Sequence, residues 1–407
     1  MAEMNKCRIC GSPCGEILAL GKMPIANAFI ADLKKKEYFY DLSVVFCQEC
    51  LMVQLRDCVP PEMMFNEDYA YFSSISKAME EHFRQMADEI ADTISRKRSP
   101  FIVELGCNDG IMLKYISRRG IRHLGIEPSA NVAAEAARNG VNVIGKFFNA
   151  DTARAILGEY GPADVICGAN VMCHIENINS VFEGIELLLR DDGVLFFEDP
   201  YLYDILLYNS FDQIYDEHVY YYSGHSVSRL ARRHQLVLFD MKPQDVHGGS
   251  MRYYIRKDYA ASVSDRVKFH LKTEQDANLH KMEGYRGFQG KVDSICSDLK
   301  KCLLDIRKKG GRVVGYGATS KSTTLLNYSQ IGPDLIDYIS DTTPTKIGKF
   351  TPGTRIPIKS HDFFHTDSPP YALLLAWNHR KEILDKELRF RKAGGKFITF
   401  FPRLNIE

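Results

Sequence analysis

Between residues 214 and 223 the chain reads IYDEHVYYYS, which places two acids, a histidine and four tyrosines in one short strip. His218 has the side chain best suited to accept a proton at neutral pH, because an unperturbed imidazole titrates near about 6.5. Tyr215, three residues earlier, can share its pocket on one helical turn and offers a hydroxyl donor. Glu217 can orient or electrostatically support the pair, while Tyr220, Tyr221 and Tyr222 read as packing. His174, in NVMCHIEN, and Tyr69, in DYAYFSS, are further candidates. Such a set suits removal of a proton from an acidified carbon and stabilisation of the oxyanion that results.

A second chemistry lies in the cysteines. CRIC and CQEC put Cys7, Cys10, Cys47 and Cys50 in two Cys-x-x-Cys knuckles. Four thiolates from such knuckles can meet at the corners of a tetrahedron, the geometry of a closed structural Zn²⁺ site. Cys14 and Cys58 fall outside the knuckles and read as structural.

Two glycine-rich turns carry opposite charge. VELGCNDG sets Glu104, Gly106, Asn108, Asp109 and Gly110 after an apolar run, and GIEP follows with Glu127. Its spacing matches neither a G-x-G-x-x-G fingerprint nor a phosphate loop. Glycine there allows a ligand close to the backbone, and the acids favour a cationic ligand over a phosphate. GYGATSKSTTLLN has the reverse character: Tyr316, Gly317, Ala318, Thr319 and Lys321 offer small residues, backbone N–H groups and a cation at a helix start. VHGGSMR adds His247, Gly248, Gly249, Ser250 and Arg252, a second loop suited to an anion. The two segments together point to a diphosphate-bearing substrate.

Elements must position these groups. FIVELG, RHLGIEP, VNVIG, ADVICGA and GVLFFEDP alternate with helical stretches, which predicts a mostly parallel sheet with ligands at the carboxyl ends of its strands. A proline-free polar stretch from about 260 to 310 predicts bridging helices. The strand-turn-helix at GRVVGYGATSKSTTLL, followed by LIDYISD, YALLLAW and KFITFF, predicts a smaller Rossmann-like domain. The expected division is a zinc-binding domain over 1–75, a central domain over 76–258, and a helical bridge with the carboxyl-terminal domain over 259–407. Lys plus Arg and Asp plus Glu both number 52, so no global field draws the chain to nucleic acid or an anionic membrane. No run approaches the roughly 18 apolar residues that span a bilayer. The expected location is the cytoplasm, with reduced cysteines.

The acid-bearing glycine loop and Glu127 resemble those of class I S-adenosylmethionine-dependent methyltransferases. That resemblance implies an α/β fold with a Rossmann-like central domain. It places Glu104, Gly106, Asn108, Asp109 and Gly110 around the amino acid part of the cofactor, Glu127 on its ribose, Phe147 and Phe148 along the adenine, and Asn170 near the methionine part. Zinc knuckles, glycine loop, IYDEHVYYYS, HGGSMR and GYGATSKSTTLLN also occur in this order in the sugar C-methyltransferases that act on nucleotide-linked ketosugars. The chain resembles that family over essentially its whole length.

The resemblance implies S-adenosylmethionine and a structural zinc ion. It implies a dTDP-linked 4-keto-6-deoxysugar as substrate, with GDP as the second choice, methylated at C3 in deoxysugar biosynthesis. Tyr215, Glu217 and His218 all belong to the active site in that pattern, and Asp341, Trp377 and Asn378 are candidates for holding the nucleotide. Alternatives are an O- or N-methyltransferase on a nucleotide sugar and a zinc-ribbon RNA-binding methyltransferase. The second conflicts with the charge balance. The sequence leaves the oligomeric state open.

Overall fold

A computed structural model describes residues 5–64, 77–257 and 262–407. Tyr69 lies outside the described residues.

Three sheets organise the described chain. The first is antiparallel and runs through Cys14–Pro24, Phe39–Cys47 and Val53–Leu55. Its fourth strand is Tyr220–Tyr221, from the strip near residue 218, paired through Val53 and Tyr221. The cut expected at 75/76 therefore divides one sheet, because two residues from beyond it complete the pairing.

The second sheet has seven strands in the order Val237–Gln244, Ser250–Arg256, Leu189–Pro200, Ala163–Ala169, Phe101–Leu105, Arg122–Ile126 and Val143–Ile144. The last five pair in parallel, and the first two are antiparallel at one edge. FIVEL at Phe101–Leu105 is buried at every position, as expected for a parallel strand covered on both faces. The chain goes from this strand to a neighbour on one side and later to the other side. That reversal makes its carboxyl end a switch point, where a crevice opens.

The third sheet repeats the plan. Ile358–Ser360, Ile339–Asp341, Val313–Tyr316, Tyr371–Leu374 and Lys396–Thr399 are parallel, and Asn405–Ile406 closes the edge antiparallel. Val313–Tyr316 occupies its switch point. The helix Phe288–Lys308 leads into it, burying Phe288, Val292, Cys296, Leu299 and Leu303 at three- and four-residue spacing.

The cores do not follow the sheets. Cys7, Cys47 and Met52 share one apolar cluster with Phe182, Ile185 and Tyr222, whereas Leu42, Phe46 and Val53 share another with Val292, Leu299 and Leu373. The amino-terminal sheet is thus wedged between the other two, so its loops can reach both switch points. No helix among the described residues is long and apolar enough to cross a membrane.

Candidate active site

One cavity of about 960 Å³ joins the two crevices. Gly106, Asn108, Glu127, Phe147, Phe148 and Asn170 line it on one side, and Thr319, Lys321, Lys346 and Asn378 on the other. His174, Tyr215, Glu217, His218 and His247 stand between.

At the first turn the backbone is left-handed at Gly106 (φ +60°) and Gly110 (φ +78°). A Cβ on Gly106 would stand 2.6 Å from Val171 Cγ2, so the left-handed turn packed on Val171 at the cavity edge requires glycine. Glu127 accepts from the backbone N–H of Asn108 at 3.1 Å and of Ser129 at 2.9 Å, which fixes its carboxylate at the cavity wall. Glu104 is buried behind the loop, and its Oε2 has no hydrogen-bond partner among the described residues. Burial, then the charges of Asp109 and Glu127, push the Glu104 carboxyl well above the usual range. Phe147 is 44% exposed yet lines the cavity, leaving an aromatic face open. A buried acid with one unpaired oxygen, a glycine turn and an open aromatic face fit a cofactor that combines an ammonium, a ribose and an adenine.

The strip around His218 is fastened by all three lobes. Thr324, from the carboxyl-terminal lobe, donates to the Ile214 carbonyl at 2.8 Å. Asp216 accepts from the Ala26 N–H at 2.9 Å, and Glu217 from Asn27 Nδ2 at 2.6 Å. The Val219 N–H donates to the Cys173 carbonyl at 2.8 Å. Tyr220 and Tyr222 donate to the carbonyls of Glu176 and Met172, at 2.6 and 3.0 Å, and act as buried walls.

His218 Nδ1 lies 2.8 Å from the Gln213 carbonyl, and Nε2 lies 2.9 Å from the Tyr215 hydroxyl. A carbonyl only accepts, so Nδ1 carries the hydrogen and Nε2 accepts from Tyr215. Burial first, then the nearby His174 and Lys321, hold His218 well below the ordinary histidine range. The His174 ring stacks on His218 with centroids 5.2 Å apart, and burial takes it down to about 4. Both rings are therefore neutral at pH 7.

Lys321 reaches into the same region. Its Nζ donates to the His247 carbonyl at 2.9 Å and lies 5.0 Å over the Trp377 ring. Burial lowers it to about 8, with Asp212 opposing. The turn that carries it is tied down by Asp341, which accepts from the Ala318 N–H at 2.7 Å. Tyr316 faces away: its hydroxyl donates to Glu387 at 2.7 Å.

The HGGSMR loop has a different geometry from that of an anion cradle. Arg252 is buried, with Nε donating to Glu198 at 2.9 Å and Nη1 to Glu89 at 2.7 Å. Those pairs staple the helix Lys77–Thr93 to the central sheet. A Cβ on Gly248 would come within 2.2 Å of Trp377, and one on Gly249 within 2.4 Å of Asp204, so these glycines answer to close packing. Ser250 donates to the Val246 carbonyl at 3.3 Å. Within this loop, His247 alone lines the cavity.

The four knuckle cysteines converge. Cys7 and Cys50 sulfurs are 3.4 Å apart, Cys10 and Cys47 sulfurs 3.5 Å, and all four lie within 4.8 Å of one another. A zinc ion bound at about 2.3 Å to each would need sulfur separations of about 3.8 Å, so the set fits it with small adjustments.

Gln213, Asn27 and Lys346 also line the cavity, although their sequence neighbourhoods carry no motif. Gln213 adjoins the strip and could have been found by extending it one residue. Asn27 and Lys346 come from other lobes and leave no local signal.

The chain matches a methyltransferase domain family over residues 79–239, a C-methyltransferase C-terminal domain family over 245–402 and a zinc binding domain family over 7–65. It is 33% identical to the C-methyltransferase NovU of Streptomyces niveus, over 99% of this chain and 97% of that one. Solved structures are similar over part of the chain. The magnesium protoporphyrin IX methyltransferase of Synechocystis PCC 6803 with bound SAM shares 13% identity over 44% of this chain and 82% of that one, with a TM-score of 0.33. A protein from Pyrococcus horikoshii OT3 shares 15% over 46% and 95%, with a TM-score of 0.37.

Proposed function

We propose that this chain, which belongs to the C-methyltransferase family, methylates C3 of a 4-keto-deoxysugar carried on a nucleoside diphosphate, with dTDP preferred over GDP. It is an S-adenosylmethionine-dependent methyltransferase with a class I Rossmann-like central domain and an amino-terminal zinc-binding domain. The observation that supports the carbon acceptor is the Tyr215–His218 pair, neutral and buried, in a cavity that also holds the acid-bearing turn and Lys321.

Carbon becomes a nucleophile only after losing a proton, and the neighbouring 4-ketone acidifies C3. His218 Nε2 is the proton acceptor, since Nδ1 is committed to Gln213. Tyr215 holds its hydroxyl against that nitrogen in the empty site; turned to the ketone oxygen of a bound substrate, it frees the Nε2 lone pair for the C3 proton and donates to the enolate oxygen as it forms. An imidazole held this far toward neutrality is a weak base when the cavity is empty of charge. An anionic substrate beside it favours the protonated ring and restores its basicity. Lys321 supplies a fixed cation to the anionic part of the substrate. Asn108 and Glu127, at the cavity wall, would hold the cofactor, which supplies an electrophilic methyl group, and Glu104 would add negative charge from behind the loop.

The test is solvent exchange. Incubated in D₂O without methyl donor, the protein should exchange hydrogen at C3 of a dTDP-4-ketosugar, as an O- or N-methyltransferase would not. His218→Asn should lower both exchange and turnover by about 10² to 10⁴. Near-normal turnover would move the base to another residue. NMR of the product from a panel of dTDP- and GDP-linked ketosugars locates the added carbon.

A further inference from the structure

We infer that the carboxyl-terminal lobe holds a second divalent metal site, formed by His361, His365 and Glu387, which takes Zn²⁺ and stiffens the turn beginning at Gly317. His361 and His365 lie four residues apart on the helix His361–Asp367, so their rings share one face. Their Nε2 atoms are 3.0 Å apart. His361 Nε2 is 3.0 Å from Glu387 Oε1, and His365 Nε2 is 3.7 Å from Glu387 Oε2. Two imidazole nitrogens and a carboxylate oxygen bound to zinc at about 2.0–2.2 Å stand about 3.3–3.5 Å apart, a value these separations bracket.

Three independent features point to a ligand. Glu387 is fully buried, and its Oε2 has no hydrogen-bond partner among the described residues. His361 Nε2 stands 3.0 Å from both His365 Nε2 and Glu387 Oε1, and a nitrogen with a single hydrogen or a single lone pair can serve only one of them well. Two of the three ligands also have an outer contact of the kind that orients metal ligands: Ser340 Oγ lies 3.5 Å from His361 Nδ1, and the Tyr316 hydroxyl donates to Glu387 Oε1 at 2.7 Å. Two nitrogens and one oxygen favour zinc over calcium or magnesium, which prefer all-oxygen sets. His365 is 39% exposed, so the metal enters there and water completes the coordination.

The position gives the site a consequence. Tyr316 packs its ring against His361 with centroids 5.6 Å apart and is the residue before Gly317. A metal that fixes His361 and Glu387 therefore fixes one ring contact and the hydroxyl partner of Tyr316, whose ring also packs on Phe364 and Phe397, and so steadies the strand end that presents Lys321.

The test counts zinc on the full-length protein with its cysteine site filled. Dialysis against a series of buffered free-zinc concentrations, followed by elemental mass spectrometry, should give two zinc ions per chain. His361→Ala and His365→Ala should each weaken the second ion about a hundredfold or more and leave the first. Tyr316→Phe should weaken it about tenfold, the effect of losing an outer contact. Zinc should raise the melting temperature of the wild type over the range that fills the second site, and not that of His365→Ala. Saturation at one ion per chain in the wild type would overturn the inference. So would retention of two ions by both histidine variants. Among the described residues, the cluster of Cys173, His174 and His218 is the other place a second ion could go; loss of that ion in His218→Asn, with His365→Ala unaffected, would also overturn the inference.

Discussion

The two glycine-rich turns occupy equivalent places in two sheets and carry opposite charge. Phe101–Leu105 and Val313–Tyr316 each lie at the point where strand order reverses, and each sends its turn into the same cavity. At the first turn burial pushes the Glu104 and Glu127 carboxyls up; for Glu127 it outweighs the hydrogen bonds from Ser129 and Asn108. At the second, burial pushes Lys321 down to about 8. Both turns are strained toward neutrality, and a ligand of the opposite charge relieves each. Topology fixes where a ligand sits, and the sign of the buried charge fixes its class.

The largest effects should come from removing one cradle at a time. Gly106→Ala meets Val171 and a φ of +60°, while Gly317→Ala meets Ala376 Cβ at 2.7 Å and a φ of +89°. A left-handed residue costs about 1–2 kcal/mol and overpacking about 1–3 kcal/mol. Together that is about 2–5 kcal/mol against the ligand-holding conformation, from which the free turn relaxes, and so about 30-fold or more in affinity. Calorimetry should show Gly106→Ala losing S-adenosylhomocysteine while keeping dTDP, and Gly317→Ala the reverse. Equal losses of both ligands in both variants would break the comparison.

The charges should also show as opposite pH slopes. Lys321 titrates near 8 in the folded chain against an ordinary 10.5, so above pH 8 the free site loses the proton that an anion needs. Affinity for dTDP should therefore fall as pH rises through 8, by at most about tenfold per unit for one proton. Glu127 titrates above its ordinary 4.5, so affinity for S-adenosylhomocysteine should rise with pH above that value. Lys321→Met should flatten the first slope and spare the second. The unfolded chain binds more protons than the folded one between pH 8 and 10.5, so Lys321 destabilises the fold below pH 8. That penalty fades as pH rises, and the variant lacks it.

The sequence made the switch-point turns legible because each is local: an apolar run, a glycine and a helix start fall within a few residues. The four cysteines were legible for the same reason. Pairings between distant segments were not. Arg252 reads as an anion ligand beside two glycines, yet its charge is met by Glu198 and Glu89, which are far from it in sequence. Tyr220–Tyr221 is too short to carry a period, so nothing in it announces a strand of the amino-terminal sheet. Lys321 shows the middle case. Its turn is plain in the sequence, but its place beside His218 depends on burial among Gln213, His247 and Trp377.

A smaller effect tests how the two turns are joined. Asn27 donates to Glu217 at 2.6 Å, and its Oδ1 accepts from Ser320 at 2.9 Å, so one side chain from the amino-terminal lobe links the strip at His218 to the lysine-bearing turn. Asn27→Ala removes two hydrogen bonds at about 1 kcal/mol each, part of which water restores. The expected outcome is a roughly fivefold rise in KM for the nucleotide sugar, with the KM for S-adenosylmethionine unchanged. Asn27→Asp should be worse than Ala, because it sets a second carboxylate against Glu217 while keeping the acceptor for Ser320. If alanine and aspartate behave alike, the link is one of shape. If aspartate is the more damaging, charge at Glu217 is what Asn27 manages, and the amino-terminal lobe helps set the electrostatics of the reaction centre from outside either Rossmann-like sheet.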